Sequence, residues 1–269
     1  MKNIIISGCS MSTDSTSLDS GESQNSLIKN YKSYPFFINT HDSFNVYNMS
    51  QSALDNGTIY RNLISGVTEL LQKGISTNDI FVIVQWSGID RHSMYSDKHK
   101  KWLISTQAIV QGDDKIWKEY FQNEHTDKMS LNNTLENIRK AQDFLSYHNI
   151  KYTMFTGWNI FDDELDLTTY GIDPLKFWFY EAEHWNSFEL SIIKDKDCLY
   201  PSTEYDSPPI KKYGGFNEWI RKNLDEKIWT RNNVGANIDD RHPSNKAQEA
   251  FCEKIIIPLI NKESNNLVT

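Results

Sequence analysis

The sequence predicts an α/β fold: a three-layer α/β/α sandwich around a central, mainly parallel sheet. Three observations lead there. Runs such as Ile4-Ile5-Ile6 and Ile80-Phe81-Val82-Ile83-Val84 are continuously apolar, as strands buried on both faces are. Each such run stops at a small polar cluster containing glycine, Ser7-Gly8-Cys9-Ser10 in the first case and Ser87-Gly88-Ile89-Asp90 in the second. Stretches of helical period lie between the runs, and strand–helix alternation is the mark of a doubly wound sheet. At 269 residues the chain can bury a large core, and the whole of 1–269 reads as a single domain.

Taken in order, the first strand ends at Gly8, where the backbone can turn sharply, and Ser10 stands just beyond it. In open α/β sheets ligands bind outside the carboxyl ends of the strands, so Ser10 belongs to the rim of that crevice unless it only caps a helix. Thr13 to Asn30 is rich in Ser, Asp, Gly and Asn and reads as a surface loop. Tyr34 to Ile38 suits a short helix. Phe44 to Asn48 alternates as a second strand and ends in the polar cluster Met49 to Ala53. Ile59, Leu63, Val67, Leu70 and Leu71 then recur at helical spacing up to Gly74.

Asp79 to Trp86 is the clearest strand. Residues from about 92 to 128 have no clean period and read as an insertion over the strand tips. Leu131 to Tyr147 is helical, Lys151 to Thr156 is a fourth strand, and Asn245 to Leu259 is a final helix. Between them, about 158 to 229 forms a second irregular, aromatic-rich insertion. A stretch of that length without period in a compact domain is usually functional.

Composition narrows the function. The net charge of −8 argues against a nucleic-acid partner, whose phosphates demand clustered Lys and Arg. Neither G-x-x-x-x-G-K-[ST] nor G-x-G-x-x-G occurs, so no nucleotide cofactor is expected. Cys9, Cys198 and Cys252 form no C-x-x-C pair and no disulfide framework. The amino terminus lacks a signal-peptide apolar region, and no run is long enough to span a membrane. A soluble cytoplasmic protein with reduced thiols is the expectation. Cofactor and metal are expected to be absent, since no second His or Cys cluster stands at ligand spacing beside Asp239, Asp240 and His242.

The last helix is preceded by Asp239-Asp240-Arg241-His242-Pro243-Ser244. An Asp three residues before a His can accept from one ring nitrogen and leave the other facing outward as a base. His242 can equally cap a helix or pair with a surface acid. Asp240 is an alternative to Asp239.

Taken together, these blocks resemble the SGNH (GDSL-type) hydrolase superfamily, in order and over most of the chain. Gly8-Cys9-Ser10 matches the Gly-x-Ser after strand one, with Cys9 where the family has Asp. Asn48 to Ala53 matches the Asn-containing turn after strand two, with Ala53 at the glycine position. Ser87-Gly88-Ile89-Asp90 matches the third block with isoleucine where the family's oxyanion asparagine belongs. Asp239, His242 and Pro243 match the last block in full.

The resemblance implies a flavodoxin-like, three-layer hydrolase fold and a serine esterase. Ser10 would be the nucleophile, His242 the base and then acid, and Asp239 the orienting carboxylate. The oxyanion would meet the N–H groups of Ser10 and Ala53. Ile89 removes a donor, and Ser87 is the first substitute, with Gln85 second. Trp86, Asp90 and Arg91, at the tip of the third strand, are candidates for substrate contact.

The favoured substrate is an acylated carbohydrate, with acetyl removal the simplest case. Trp, Tyr and Phe of the insertions would stack on sugar faces, unless they form the core of those insertions. Cys9 as a thiol nucleophile with His242 is a lesser reading. The rival class is a non-catalytic carbohydrate- or protein-binding module on the same fold, which Ile89 favours.

Overall fold

The computed structural model describes residues 1–13, 31–97, 100–105, 115–162, 164–180, 213–229 and 242–265. Its elements in chain order are β1 (Lys2–Ser7), α1 (Tyr34–Asn39), β2 (Phe44–Asn48), α2 (Asn56–Gln72), β3 (Ile80–Trp86), β4 (His92–Ser96) and β5 (Lys101–Ser105). There follow α3 (Lys115–Asn123), α4 (Asp127–Tyr147), β6 (Lys151–Thr156), α5 (Phe216–Asn223), α6 (Asn245–Phe251), a π turn (Cys252–Ile256) and α7 (Ile257–Asn265).

Four strands form the central sheet in the order β2-β1-β3-β6, all parallel. Ile4 lies opposite Val46 on one side and Phe81 on the other, and Ile83 lies opposite Thr153. The chain adds β2 to one side of β1, then crosses to add β3 and β6 to the other. Such a reversal opens a crevice at the carboxyl ends of β1 and β3.

Strand side chains alternate between two apolar layers. Ile5, Val82, Val84, Tyr152 and Met154 face α2 and α4 through Leu63, Val67, Leu70, Leu135, Ile138 and Leu145. Ile4, Ile6, Phe81, Ile83 and Phe155 face α1, α5, α6 and the π turn through Tyr34, Ile38, Phe216, Phe251 and Ile256. This is why β1 and β3 read as unbroken apolar runs: every residue of β3 is buried.

Three helix starts, those of α2, α4 and α6, are capped by short polar side chains. Asp55 accepts from the Thr58 N–H at 3.2 Å, Thr126 from the Met129 N–H at 3.1 Å, and Ser244 from the Ala247 N–H at 3.2 Å. Each cap satisfies a donor the helix itself cannot.

The insertion expected over 92–128 is more regular than its sequence. It holds the antiparallel hairpin β4–β5 and the helix α3. The following helix begins at Asp127, four residues before the apolar period, because Thr126 supplies the cap. In the second insertion, Phe177 bridges in parallel to Met154 at the free edge of β6 and Tyr180 bridges to Gly214. Phe177 and Phe179 stack in one apolar layer while Trp178 packs in the other. Phe177, Trp117 and Trp219 are buried in the core, while Trp178 and Phe179 are half-buried. Trp185 and Phe188 lie outside the described residues.

His92 holds β4 down. Its ring meets Tyr120, Phe121 and His125 edge-on, with 5.0 Å between the two imidazole centroids. One hydroxyl, Ser130 Oγ, lies 3.3 Å from His92 Nε2 and 2.9 Å from His125 Nε2. Burial and the neighbouring His125 push the His92 pKa from 6.5 down to about 4. A folded-state value below the unfolded one means protons favour the unfolded chain. The His92 contribution is therefore whole above about pH 6.5 and drains away as pH falls towards 4. Denaturant midpoints measured at pH 7 and pH 4.5 should differ less in His92→Phe than in the wild type.

Candidate active site

The site starts from the turn that follows β1. Gly8 passes so close to its neighbours that a Cβ there would lie 2.6 Å from Ser12 Oγ and 3.0 Å from Gln85 Cβ. Only glycine admits this approach. Behind it, the buried amide of Gln85 gathers the turn. Its Oε1 accepts from the Cys9 N–H at 3.2 Å, the Cys9 thiol at 3.3 Å and the Ser12 hydroxyl at 3.0 Å. Its Nε2 donates to the Trp86 carbonyl at 2.8 Å. Gln85 is therefore an anchor beneath the turn and not the oxyanion donor considered from sequence.

A second glutamine closes the site from the other end of the chain. Gln248, buried on α6, donates to the Met11 carbonyl at 2.9 Å and to the Tyr31 hydroxyl at 2.6 Å. Its Oε1 accepts the Tyr34 N–H at 3.0 Å. Ser244 caps α6 and its own N–H donates to the Trp229 carbonyl at 3.1 Å, which holds the residues just after His242. The result is that His242 Nε2 lies 2.8 Å from Ser10 Oγ, across 232 residues of sequence. Both side chains are partly exposed, within reach of a ligand. Asp239 and Asp240 lie outside the described residues.

The turn after β2 lies alongside. The Gln51 N–H donates to the Gly8 carbonyl at 3.3 Å, and Asn48 Nδ2 donates to the Ser12 carbonyl at 2.9 Å. Ala53 has φ 64°, in the left-handed region. A residue with a Cβ is disfavoured there by about 1–2 kcal/mol, so the backbone at this position asks for glycine. Ala53→Gly should raise the thermal midpoint of unfolding by a few degrees, in line with about 1 kcal/mol of relieved strain.

After β3 the picture is mixed. Trp86 is wholly buried, with its Nε1 donating to Met154 Sδ at 3.4 Å. It belongs to the core, which removes it from the residues that could touch a substrate. Ser87 is buried too, and its N–H donates to Asn56 Oδ1 at 2.7 Å. That leaves the Ser87 hydroxyl, which has no hydrogen-bond partner among the described residues. Ile89, Asp90 and Arg91 are half-buried. Burial raises the Asp90 carboxyl above its ordinary value, against the pull of the neighbouring Arg91 guanidinium. Burial likewise pushes the Cys9 thiol up, and is the largest single influence on it, but the Arg91 field and the hydrogen bonds to the sulfur together outweigh it and the net shift is downward.

A separate groove of about 490 Å³ runs along the outer edge of β6, lined by Thr153, Leu175, Lys176, Phe177 and Phe179 among others. Neither Ser10 nor His242 borders it. Among the described residues no group of three or more His, Cys, Asp or Glu side chains is gathered to hold a metal, and no helix is long and apolar enough to cross a membrane.

Comparison with protein-family models and with curated proteins found no match to this chain. The reading of the site therefore rests on its own geometry. Gln248 was missed from sequence, whereas Gln85 reads there as a second oxyanion substitute or a residue buried in the strand. The available signal was a single amide inside each apolar pattern, Gln85 in β3 and Gln248 on the buried face of the last helix. Gln85→Leu should destabilise the fold by about 1–3 kcal/mol, because it strands the Cys9 N–H and the Ser12 hydroxyl; chemical denaturation measures it.

Proposed function

We propose that this protein is a serine ester hydrolase of the SGNH type, acting through an acyl-enzyme, with an acylated carbohydrate as its substrate class. The observation that carries the proposal is the 2.8 Å contact between Ser10 Oγ and His242 Nε2 at the carboxyl end of β1. The strand order β2-β1-β3-β6 is that of flavodoxin-like sheets, which supports the same family reading.

Chemically, a serine hydroxyl is a weak nucleophile until a base takes its proton. His242 is within hydrogen-bond distance to do so as Ser10 Oγ attacks the acyl carbon. The imidazolium then gives that proton to the departing alkoxide as the ester C–O bond breaks. Water, deprotonated by the same imidazole, attacks the acyl-enzyme and releases the carboxylic acid and free Ser10. The N–H groups of Ser10 and Ala53 are the donors for the tetrahedral oxyanion; Ser87, the substitute considered from sequence, is wholly buried. One oxyanion donor is worth about 3 kcal/mol, so Ile89 predicts a slow enzyme if no third donor serves. By the family resemblance Asp239 orients His242.

Ile89 also favours a second reading, a carbohydrate- or protein-binding module that has kept the fold. One experiment divides the two. A serine-directed fluorophosphonate should label the wild type at Ser10 alone, as mapped by peptide mass spectrometry. Hydrolysis of 4-nitrophenyl acetate should fall by about three orders of magnitude or more in Ser10→Ala and in His242→Ala. Equal slow hydrolysis in all three proteins, with no label, sinks the enzyme and leaves the module.

A further inference from the structure

Arg91 is unexplained by the chemistry above. It follows the tip of β3, and its guanidinium lies over the ring of Trp158, with Cζ 5.5 Å from the ring centroid. Trp158 follows the neighbouring tip, that of β6. The two tips are pressed together: a Cβ on Gly88 would fall 2.5 Å from Asp90 Oδ1 and 2.9 Å from Trp158 Cζ2. A guanidinium over an indole ring is a cation–π contact, which arginine makes more often than lysine.

Arg91 Nη1 is buried and meets no acceptor among the described residues. Asp90, its neighbour in sequence, feels the Arg91 charge but forms no ion pair with it among those residues. A buried charged donor without an acceptor is costly, while Arg91 as a whole is only half-buried. The charge also reaches the reacting end of the crevice, because it acts on the thiol of Cys9, the residue beside Ser10.

We propose that Arg91, seated on Trp158, is an anion subsite that binds a carboxylate of the substrate beside the scissile ester. The substrate class is then an ester of an acidic molecule, such as an acylated uronic acid, instead of a neutral sugar. Guanidinium and carboxylate meet in a paired, planar geometry. The proposal rests on the hydrolytic reading for the word substrate, but the anion subsite itself does not depend on turnover.

The test uses matched esters that differ only in charge. One pair is 4-acetoxybenzoate and 4-acetoxybenzamide, with the charge on the alcohol side. The other is mono-4-nitrophenyl succinate and 4-nitrophenyl succinamate, with the charge on the acyl side. The wild type should favour the carboxylate over the amide in at least one pair by about tenfold or more in kcat/KM, expressed in KM, as a charge-assisted hydrogen bond implies. In Arg91→Gln that ratio should collapse to near unity, and in Arg91→Lys it should fall between the two. A ratio near one in the wild type for both pairs, or a ratio unchanged in Arg91→Gln, overturns the subsite.

A calorimetric titration of 4-acetoxybenzoate and of mono-4-nitrophenyl succinate into Ser10→Ala, with and without Arg91→Gln, separates the two claims. Binding by Ser10→Ala that is lost with Arg91 supports the subsite even where Ser10→Ala still hydrolyses ester, a result that would sink only the serine mechanism. Equal binding with and without Arg91 overturns the subsite even where Ser10 proves to be the nucleophile.

Discussion

The buried amide of Gln248 joins the last helix to the first turn, and the candidate site depends on that junction. Three hydrogen bonds, to the Met11 carbonyl, the Tyr31 hydroxyl and the Tyr34 N–H, are made by one side chain in an apolar layer. None of those polar atoms can be left without a partner there at small cost. The helix therefore has one seating on the sheet, with Phe251 stacked on Phe216 at 4.0 Å between centroids to fill the space beneath. His242, just ahead of the helix, is carried onto Ser10 by this seating.

Gln85 does the equivalent work from within the sheet. It interrupts an otherwise apolar strand, and in exchange holds the turn after β1 through the Cys9 N–H and the Ser12 hydroxyl. Two amides, one on each side of the turn after β1, give it little freedom to relax. A rigid turn suits a group that must meet a base at hydrogen-bond distance before any substrate arrives. The same rigidity is compatible with Ala53 in a left-handed conformation, since the surrounding hydrogen bonds hold it there.

Much of this was legible in the sequence, for reasons that differ by element. β1, β3 and β6 are buried on both faces, so their apolar runs stand out, and the bounds follow. Ser10 and His242 were readable because glycine and proline flank them at strand and helix ends. The hairpin β4–β5 was not readable: His92-Ser93-Met94-Tyr95-Ser96 presents no continuous apolar face, and its His92 is held by aromatic neighbours distant in sequence. α5 escaped because eight residues carry barely two turns of period. Trp86 was misread as a crevice residue: large aromatics at strand ends point to either layer, and only register places this one inward.

Since the paired hydroxyl and imidazole sit 232 positions apart, no chain still threaded in a ribosome can hold them together until its final helix has emerged and docked. Any chemistry needing both groups is silent until that docking. A proteolytic nick or early stop that removes α6 would take away Gln248, and with it the hydrogen bonds that hold the turn after β1, Tyr31 and Tyr34 to the segment bearing His242.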